Sequence, residues 1–154
     1  MILDSGNRRT FDSGAVRDIQ EGKGRCDLLP IGVAARFMCD DEMYDMVLYY
    51  INAFTETDDT IHLYEALDHF CNKAYRGERA LMMLDVSKHF EEGAKKYGEN
   101  NWQKGLPVSC YIDSAIRHYL KYLRGDSDER HDRAFIWNIM CCIWEHDYHK
   151  EDDK

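Results

Sequence analysis

The sequence has few of the features that mark secreted or membrane-spanning proteins. No apolar run reaches the roughly eighteen residues that a transmembrane helix needs. Prolines are also scarce, with only two in 154 residues. The first residues lack a basic segment followed by an apolar run, so no signal peptide is predicted. We therefore expect a cytoplasmic protein with no membrane partner.

Cysteine pairs are also missing. None of the six cysteines forms a CxxC motif, and Cys141 and Cys142 are adjacent within an apolar run, as is typical of packed, reduced thiols. In the absence of a secretion signal, free cysteines are favoured over a disulfide framework, and no Cys–His spacing supports a zinc site.

Positive charge is scarce. The chain has 20 lysines and arginines against 29 aspartates and glutamates, for a formal net charge of −9. An acidic surface repels phosphate backbones, which argues against a nucleic-acid partner. A small phosphorylated ligand stays compatible with this charge, because acidic clusters can bind phosphates through a divalent cation.

Strand-like alternation is absent over any useful length, whereas apolar residues recur at helical spacing. This spacing predicts helices over about 31–54, 60–75, 79–97, 107–123 and 129–146, and the acidic residues 40–42 are a point at which the first of these can divide in two. The glycine-rich residues 1–30 are expected to form an irregular arm, and residues 149–154 a charged tail. The sequence thus predicts an all-α domain over residues 31–148, a bundle of four to five helices.

The last predicted helix is apolar nearly all round between residues 134 and 144, so it should be buried. At helical spacing it carries one polar seam, formed by Ser127, His131, Asn138 and Glu145, with Asp128 beside it. A buried amide is costly unless its partners are satisfied. The seam is therefore either a satisfied polar network in the core or a stripe that faces a ligand or metal.

Three predicted helices carry acidic candidates. Glu91 flanks the apolar face of helix 79–97, while Glu92 points further outward and shares a second face with Asp85 and His89. Asp113 lies at the edge of the core face of helix 107–123. Near the start of the last helix, the carboxylates are those of Asp128, Glu129 and Asp132. Such groups can supply the oxygen ligands of Mg²⁺ or simply form a solvated surface.

Two irregular segments carry candidates for nucleotide binding. In the loop 98–106, Trp102 can stack on a base and Asn101 can read its edge, or Trp102 can cover one end of the bundle. In the arm, a phosphate clamp is available from Arg17, Lys23 and Arg25. The arm can equally serve as a surface that packs against another subunit.

Residues 88–138 resemble the core of the dATP/dGTP diphosphohydrolase family of phages and prophages. The motifs that carry the resemblance are GAKKYGENNW, IDSAIRHYLKYLRG, an acidic turn with His131, and Trp137-Asn138. The arm segment SGAVRDIQEGKGRCDLLP, residues 13–30, is a second similarity. If a phage encodes the chain, the host cytoplasm is its expected location.

This family is related to the MazG-like all-α pyrophosphohydrolases. The resemblance implies a MazG-like bundle and hydrolysis of a purine deoxynucleoside triphosphate to the monophosphate and pyrophosphate, with Mg²⁺ or Mn²⁺ held by carboxylates. It implies catalytic roles for Glu91, Asp113 and Glu129. It implies metal ligation by Glu91, Glu92, Asp113, Asp128, Glu129 and Asp132. The resemblance also implies that the nucleotide is bound by Lys96, Asn101, Trp102, Arg117, His118, His131 and Asn138, together with Arg17, Lys23 and Arg25 of the arm.

The sequence departs from the MazG-like metal motifs ExxE and ExxD. On the face of Glu92 stand Asp85 and His89 rather than a second glutamate. Residues 129–132 read as ExxD, but alignment on Trp137-Asn138 places His131 and Ala134 in those positions instead. A nucleotide-binding or nucleotide-sequestering protein without catalysis is therefore the alternative function.

A third hypothesis is a phosphohydrolase built on histidine–aspartate metal chemistry. The adjacent pair His131-Asp132, with His89 and His118 as further ligands, would favour a transition metal. For any of these functions, apolar helix faces that one bundle cannot cover predict a homo-oligomer, a dimer or larger.

Overall fold

A computed structural model of the chain describes residues 4–39, 43–72 and 74–152. Within these ranges it contains six α-helices: α1 (Ile31–Phe37), α2 (Met46–Thr57), α3 (Ile61–Phe70), α4 (Arg76–Tyr97), α5 (Val108–Arg124) and α6 (His131–Asp152). The all-α prediction is confirmed. The predicted helix 31–54 is two helices, α1 and α2, and the acidic residues 40–42 lie outside the described ranges.

The arm is more regular than its composition indicates. Strand β1 (Arg8–Thr10) pairs antiparallel with β2 (Val16–Asp18), with Arg9 opposite Arg17. A short 3-10 turn over Cys26–Leu28 then leads into α1. Strands of three residues are too short for a period-two pattern to be recognisable, so this hairpin could not be predicted from local sequence.

The antiparallel pair α5 and α6 forms the centre of the bundle, as the apolar composition of α6 predicts. Tyr111 and Ala115 of α5 and Phe135, Ile139 and Cys142 of α6 are fully buried. The chain turns between the two helices at Gly125, whose φ of +89° is a backbone conformation that glycine adopts without strain. Helix α6 continues to Asp152, beyond the predicted end of the bundle domain.

The remaining helices cover this central pair. Helix α4 packs against α6, and α3 also contacts α6. Helix α2 lies between α1 and α3 and packs against both of them. None of the helices in the described ranges combines the length and hydrophobicity that crossing a bilayer requires. All six cysteines are free thiols.

Candidate functional site

A cavity of about 830 Å³ lies between the arm, α4, α5 and the start of α6. This volume is typical of sites that bind small molecules. Its lining includes predicted site residues from every one of these segments: Arg17, Lys23, Glu91, Lys96, Asn101, Trp102, Asp113, Arg117, His118, Glu129 and Asn138. The sequence-based interpretation that separate segments converge on one cavity therefore agrees with the geometry.

The arm is fixed as one wall of this cavity. The side chain of Asn101 pairs with the backbone of Val16: Val16 N–H donates to Oδ1 at 2.9 Å, and Nδ2 donates to the carbonyl at 2.8 Å. This amide was predicted to read a base, but its carbonyl and one N–H are used on β2. Further along the arm, Arg117 donates to the carbonyls of Lys23 and Gly24, at 3.2 and 2.8 Å.

Asp113 belongs to the same set of arm contacts. Its Oδ1 accepts from the Cys26 N–H at 2.6 Å, and its Oδ2 accepts from Arg117 Nη2 at 2.6 Å. The carboxylate is buried, and each of its oxygens already has a strong donor. Asp113 thus orients Arg117 and the arm in this structure, and metal ligation by it would require displacing one of these donors.

Cationic groups surround the cavity. Besides Arg17, Lys23, Lys96 and Arg117, the lining includes Arg9 and Lys121. Lys23 pairs with Asp18 at 2.9 Å. Burial raises the pKa of Asp18, but hydrogen bonds from Ser5 and Lys23 outweigh it and lower that pKa to about 2, so this carboxylate is ionised at neutral pH.

Arg17 is the most firmly positioned of these cations. Its Nη2 donates to Ser114 Oγ at 2.7 Å and to Asn138 Oδ1 at 3.2 Å, and the guanidinium lies 5.3 Å from the Tyr111 ring centroid. Asn138 is itself fixed by donating to the Ala134 carbonyl at 2.8 Å. Among the described residues, Arg17 Nη1 is buried with no hydrogen-bond partner. It is therefore an unsatisfied donor on a side chain that also lines the cavity.

Two histidines connect the cavity wall to the turn before α6. Nδ1 of His118 lies 2.9 Å from Nδ1 of His131, and His131 Nε2 lies 2.7 Å from Asp128 Oδ1. Burial and the neighbouring His131 lower the pKa of His118 well below its usual value, so its ring is neutral at pH 7. Of the predicted seam, His131 thus belongs to a polar group with His118 and Asp128, while Asn138 belongs to a separate one with Arg17.

Ligand atoms that can hold a divalent cation come together in two groups within the described residues. These are His118, Glu129 and His131, and also Asp126, Asp128 and His131, with the atoms of each group within 4.8 Å of one another. The first group includes two cavity-lining residues, His118 and Glu129. Neither group includes Glu91 or Asp113, although both of these acids line the same cavity.

The orientations predicted for Glu91 and Glu92 were wrong. The Glu91 side chain is 69% exposed and pairs only with Lys95, at 3.3 Å, at the rim of the cavity. Glu92 turns toward α6, where its carboxylate accepts from Arg133 Nη2 at 2.7 Å. The buried Arg133 explains the difference, because it draws the face of α4 that carries Glu92 against α6.

Several other predicted residues do not line the cavity. Arg25 forms a paired hydrogen bond with Asp27, at 2.7 and 2.8 Å, on the outer side of the arm. Asp132 pairs with Arg130 at 3.0 Å, and Asp128 reaches the site only through His131. His131 is likewise behind the wall rather than on it.

Trp102 lines the cavity and also packs against other rings. Its ring centroid lies 5.5 Å from Phe90 and 5.0 Å from Trp144. With Trp137 and Tyr97, which also belong to the lining, it gives one part of the wall an aromatic surface. Trp102 therefore packs against the bundle, as one of the two interpretations predicted, and its ring also lines the cavity.

The site contains residues that sequence reasoning did not select. Lys121 follows Arg117 by one helical turn, so its place on the same face was detectable from spacing. Ser114 is next to Asp113. His89 was considered only as a spare metal ligand, yet it is buried in the cavity wall, and burial lowers its pKa to about 4. Arg9 carried no sequence signal, because its position depends on the hairpin.

Comparison with known proteins identifies the family of the C-terminal half. Residues 79–154 match the model of the family described as dATP/dGTP diphosphohydrolase, N-terminal; the arm lies outside this match. No curated protein and no solved structure matches the chain. The family's name denotes a hydrolase of deoxynucleotides, and diphosphohydrolases commonly use a divalent metal. The cavity that α4, α5 and α6 build with the arm is therefore the candidate active site of a chain whose residues 79–154 match the dATP/dGTP diphosphohydrolase, N-terminal family.

Proposed function

We propose that this protein hydrolyses a purine deoxynucleoside triphosphate to the monophosphate and pyrophosphate in the cavity between the arm and helices α4–α6. The observation that carries the proposal is the half-buried Arg17, which Ser114 and Asn138 fix in the wall of a cavity lined by six basic residues. Six carboxylates share this lining, so a triphosphate bound together with a divalent cation supplies both the acceptor oxygens that the basic groups need and the positive charge that the acids favour.

The lining divides into parts that suit the two ends of a nucleotide. Arg17, Lys23, Lys96 and Lys121 can bind phosphate oxygens, and Arg117 fixes the arm that carries two of them. The aromatic part of the wall, with Trp102, can stack on a purine. The base and sugar are therefore assigned to the α4 side of the cavity.

The reaction proposed is attack of water on the α-phosphorus. The bond from this phosphorus to the bridging oxygen breaks, pyrophosphate leaves, and the proton of the water passes to a base. A divalent cation, expected from the resemblance to be Mg²⁺ or Mn²⁺, would neutralise phosphate charge and lower the pKa of the water. Glu129 is the carboxylate that lies on the wall beside the histidine pair, and we assign the proton-accepting role to it.

The test is incubation of the protein with dATP, dGTP and their ribose analogues in the presence of Mg²⁺ or Mn²⁺, followed by identification of the phosphate product. Pyrophosphate is expected. Intact nucleotides with either metal would refute the proposal. Glu129→Gln should abolish turnover while leaving nucleotide binding measurable.

Variants of the other two predicted catalytic acids separate direct from indirect roles. Glu91→Ala removes an exposed rim carboxylate, so a large loss of kcat would require that Glu91 swing inward on binding. Asp113→Ala is expected to raise KM in addition to lowering kcat, because the substitution removes the acceptor of the hydrogen bonds from Arg117 and from the Cys26 N–H. A fall in kcat alone would instead assign Asp113 a direct catalytic role.

The alternative, nucleotide binding without catalysis, is favoured by one observation. Glu91, Asp113 and Glu129 share the cavity but do not form a common ligand group in this structure. A protein that sequesters a nucleotide needs the basic wall and the aromatic surface but not a carboxylate cluster. Recovery of unprocessed nucleotide from a tight complex, with metal present, would support this alternative.

We also propose that the protein is a homo-oligomer. The first half of α4 exposes Leu81 and Leu84, 69% and 67% exposed, and Tyr75 precedes them with 82% exposure. Exposed apolar side chains clustered on one helix are typical of a surface that another subunit covers.

A further inference from the structure

The contact between His118 and His131 has an unusual geometry for two buried imidazoles. The same atom of each ring, Nδ1, faces the other at 2.9 Å, with ring centroids 5.1 Å apart. Two such nitrogens either share one proton or direct their lone pairs at a common position. In the second arrangement, an ion at that position would be bound by residues from both α5 and α6.

Asp128 decides which nitrogen of His131 carries the proton. A carboxylate only accepts hydrogen bonds, so the contact of 2.7 Å between Asp128 Oδ1 and His131 Nε2 requires a proton on Nε2. A neutral imidazole has one N–H, which leaves the His131 Nδ1 with its lone pair toward His118. A carboxylate behind a histidine in this way is the usual support of a metal-binding imidazole.

Glu129 adds an oxygen ligand from the turn that precedes α6. The ligand atoms of His118, His131 and Glu129 all lie within 4.8 Å of one another. Ligands at about 2.1 Å from one ion are at most about 4.2 Å apart, so only a small movement brings the three atoms to bonding distance. His118 and Glu129 also line the cavity, where open coordination positions would meet a ligand.

We propose that His118 Nδ1, His131 Nδ1 and the Glu129 carboxylate form a binding site for a divalent transition-metal ion such as Mn²⁺, and that Asp128 orients His131 for it. This metal site borders the cavity of the proposed function, with His118 and Glu129 on the wall and His131 behind it, and it specifies the cation of that function. The carboxylate set Glu91, Glu92, Asp113 and Asp132, expected from the resemblance, is replaced by two imidazoles and one carboxylate.

The donor types decide between the two cations expected from the resemblance. Mg²⁺ requires near-octahedral oxygen ligands and rarely binds nitrogen, whereas imidazole is a good ligand for first-row transition ions and carboxylate suits Mn²⁺. Two nitrogen donors out of three therefore select against Mg²⁺. The other group, Asp126, Asp128 and His131, is less suitable, because Asp126 is engaged by Arg124 and both acids are on the outside of the turn.

The test is a titration of the metal-free full chain with Mn²⁺, without nucleotide, in which electron paramagnetic resonance measures the free ion. We expect one Mn²⁺ per chain that an equal concentration of Mg²⁺ does not displace. Asp128→Ala should weaken Mn²⁺ binding about 10- to 100-fold. His118→Gln should weaken it at least as much, while Asp126→Ala, the matched control on the same turn, should bind as the unaltered chain does.

The Asp128 side chain is half exposed, so its removal leaves the bundle core intact, and circular dichroism verifies folding. Equal displacement by Mg²⁺, or Mn²⁺ binding that is unchanged in both Asp128→Ala and His118→Gln, would overturn the proposal. Because no nucleotide is present, this result is separate from the hydrolysis assay. A chain that binds Mn²⁺ and leaves every nucleotide intact would refute the proposed function alone.

Discussion

His89 is a buried histidine in the cavity wall, with Nδ1 unpaired among the described residues and its ring 5.2 Å from that of Trp137. Burial, followed by the nearby Arg133, lowers its pKa to about 4, from the 6.5 of an exposed histidine; Glu92 opposes this shift. The ring is therefore neutral in the folded protein at pH values where the unfolded chain is already protonated.

The lowered pKa of His89 predicts a loss of stability in acid. Its contribution should be complete above pH 6.5 and should disappear as the pH falls from 6.5 to 4, because the unfolded state binds the proton first. The full shift corresponds to about 3 kcal/mol. Thermal denaturation between pH 4 and 7 should show a shallower pH dependence for His89→Gln. As the control, Ser87→Ala on the same helix removes no titrating group and should keep the original slope, and identical slopes for His89→Gln and the unaltered chain would contradict the assignment.

Arg17 and Arg25 provide a matched pair of substitutions in the arm. Arg17 lines the cavity, while Arg25 pairs with Asp27 outside it. Loss of a charge-assisted hydrogen bond costs about 1.5–3 kcal/mol, so Arg17→Gln should weaken nucleotide binding about 10- to 100-fold. Arg25→Gln should leave affinity within a factor of two. Calorimetric titration with a nonhydrolysable dATP analogue measures both, and an equal loss in the two variants would place the phosphates elsewhere.

At the scale of elements, Asn101 is one of the side chains that attach the hairpin to the rest of the fold, together with the partners of Arg17 and the Tyr97 hydroxyl, which accepts from the Asp18 N–H. Asn101 satisfies both the N–H and the carbonyl of Val16. Asn101→Ala would leave these part-buried groups without partners, at a cost of about 1–3 kcal/mol. We expect faster amide exchange in residues 8–18 and weaker nucleotide binding, with the exchange of α5 unchanged. Unchanged exchange in the hairpin would show that other contacts hold it.

The helices were predictable to the extent that each shows its own pattern along the chain. The apolar run of α6 and the spacing of α5 predicted a buried central pair, and Gly125 marked the turn between them. The hairpin was not predictable, because its strands are short and are held by Asn101, 85 positions away in sequence. The rotation of α4 was also missed, since it follows from an ion pair with Arg133 on another helix.

The site residues likewise differ in whether they could be predicted from local sequence or depend on tertiary contacts. Local motifs selected His118, Glu129 and His131, which the structure brings together, and they selected Arg17 in the arm. Nothing local distinguishes Asp113 as a residue with two strong donors, because one donor is the backbone of Cys26. Convergence on a cavity can be inferred from sequence, whereas the partner of each polar atom depends on tertiary contacts.

At the scale of the whole molecule, the exposed part of α4 predicts association. Replacing Leu81 and Leu84 together by aspartate should convert the oligomer to a monomer, because it places charge in the apolar contact. Sedimentation velocity measures the change. Thr55→Asp, at an exposed polar position on α2, is the control and should leave the mass of the particle unchanged. A chain that is monomeric without substitutions would refute the prediction.

The attachment of the arm has a consequence for how function is distributed along the chain. The segment shared with the family begins at residue 79, yet Arg9, Arg17 and Lys23 reach the cavity from before that boundary. A fragment cut at residue 79 would keep the two facing histidines and lose half of the basic wall. In this chain, the proposed metal ligands and the basic residues of the arm therefore lie on opposite sides of that boundary, so truncation at residue 79 should reduce nucleotide affinity more than metal affinity.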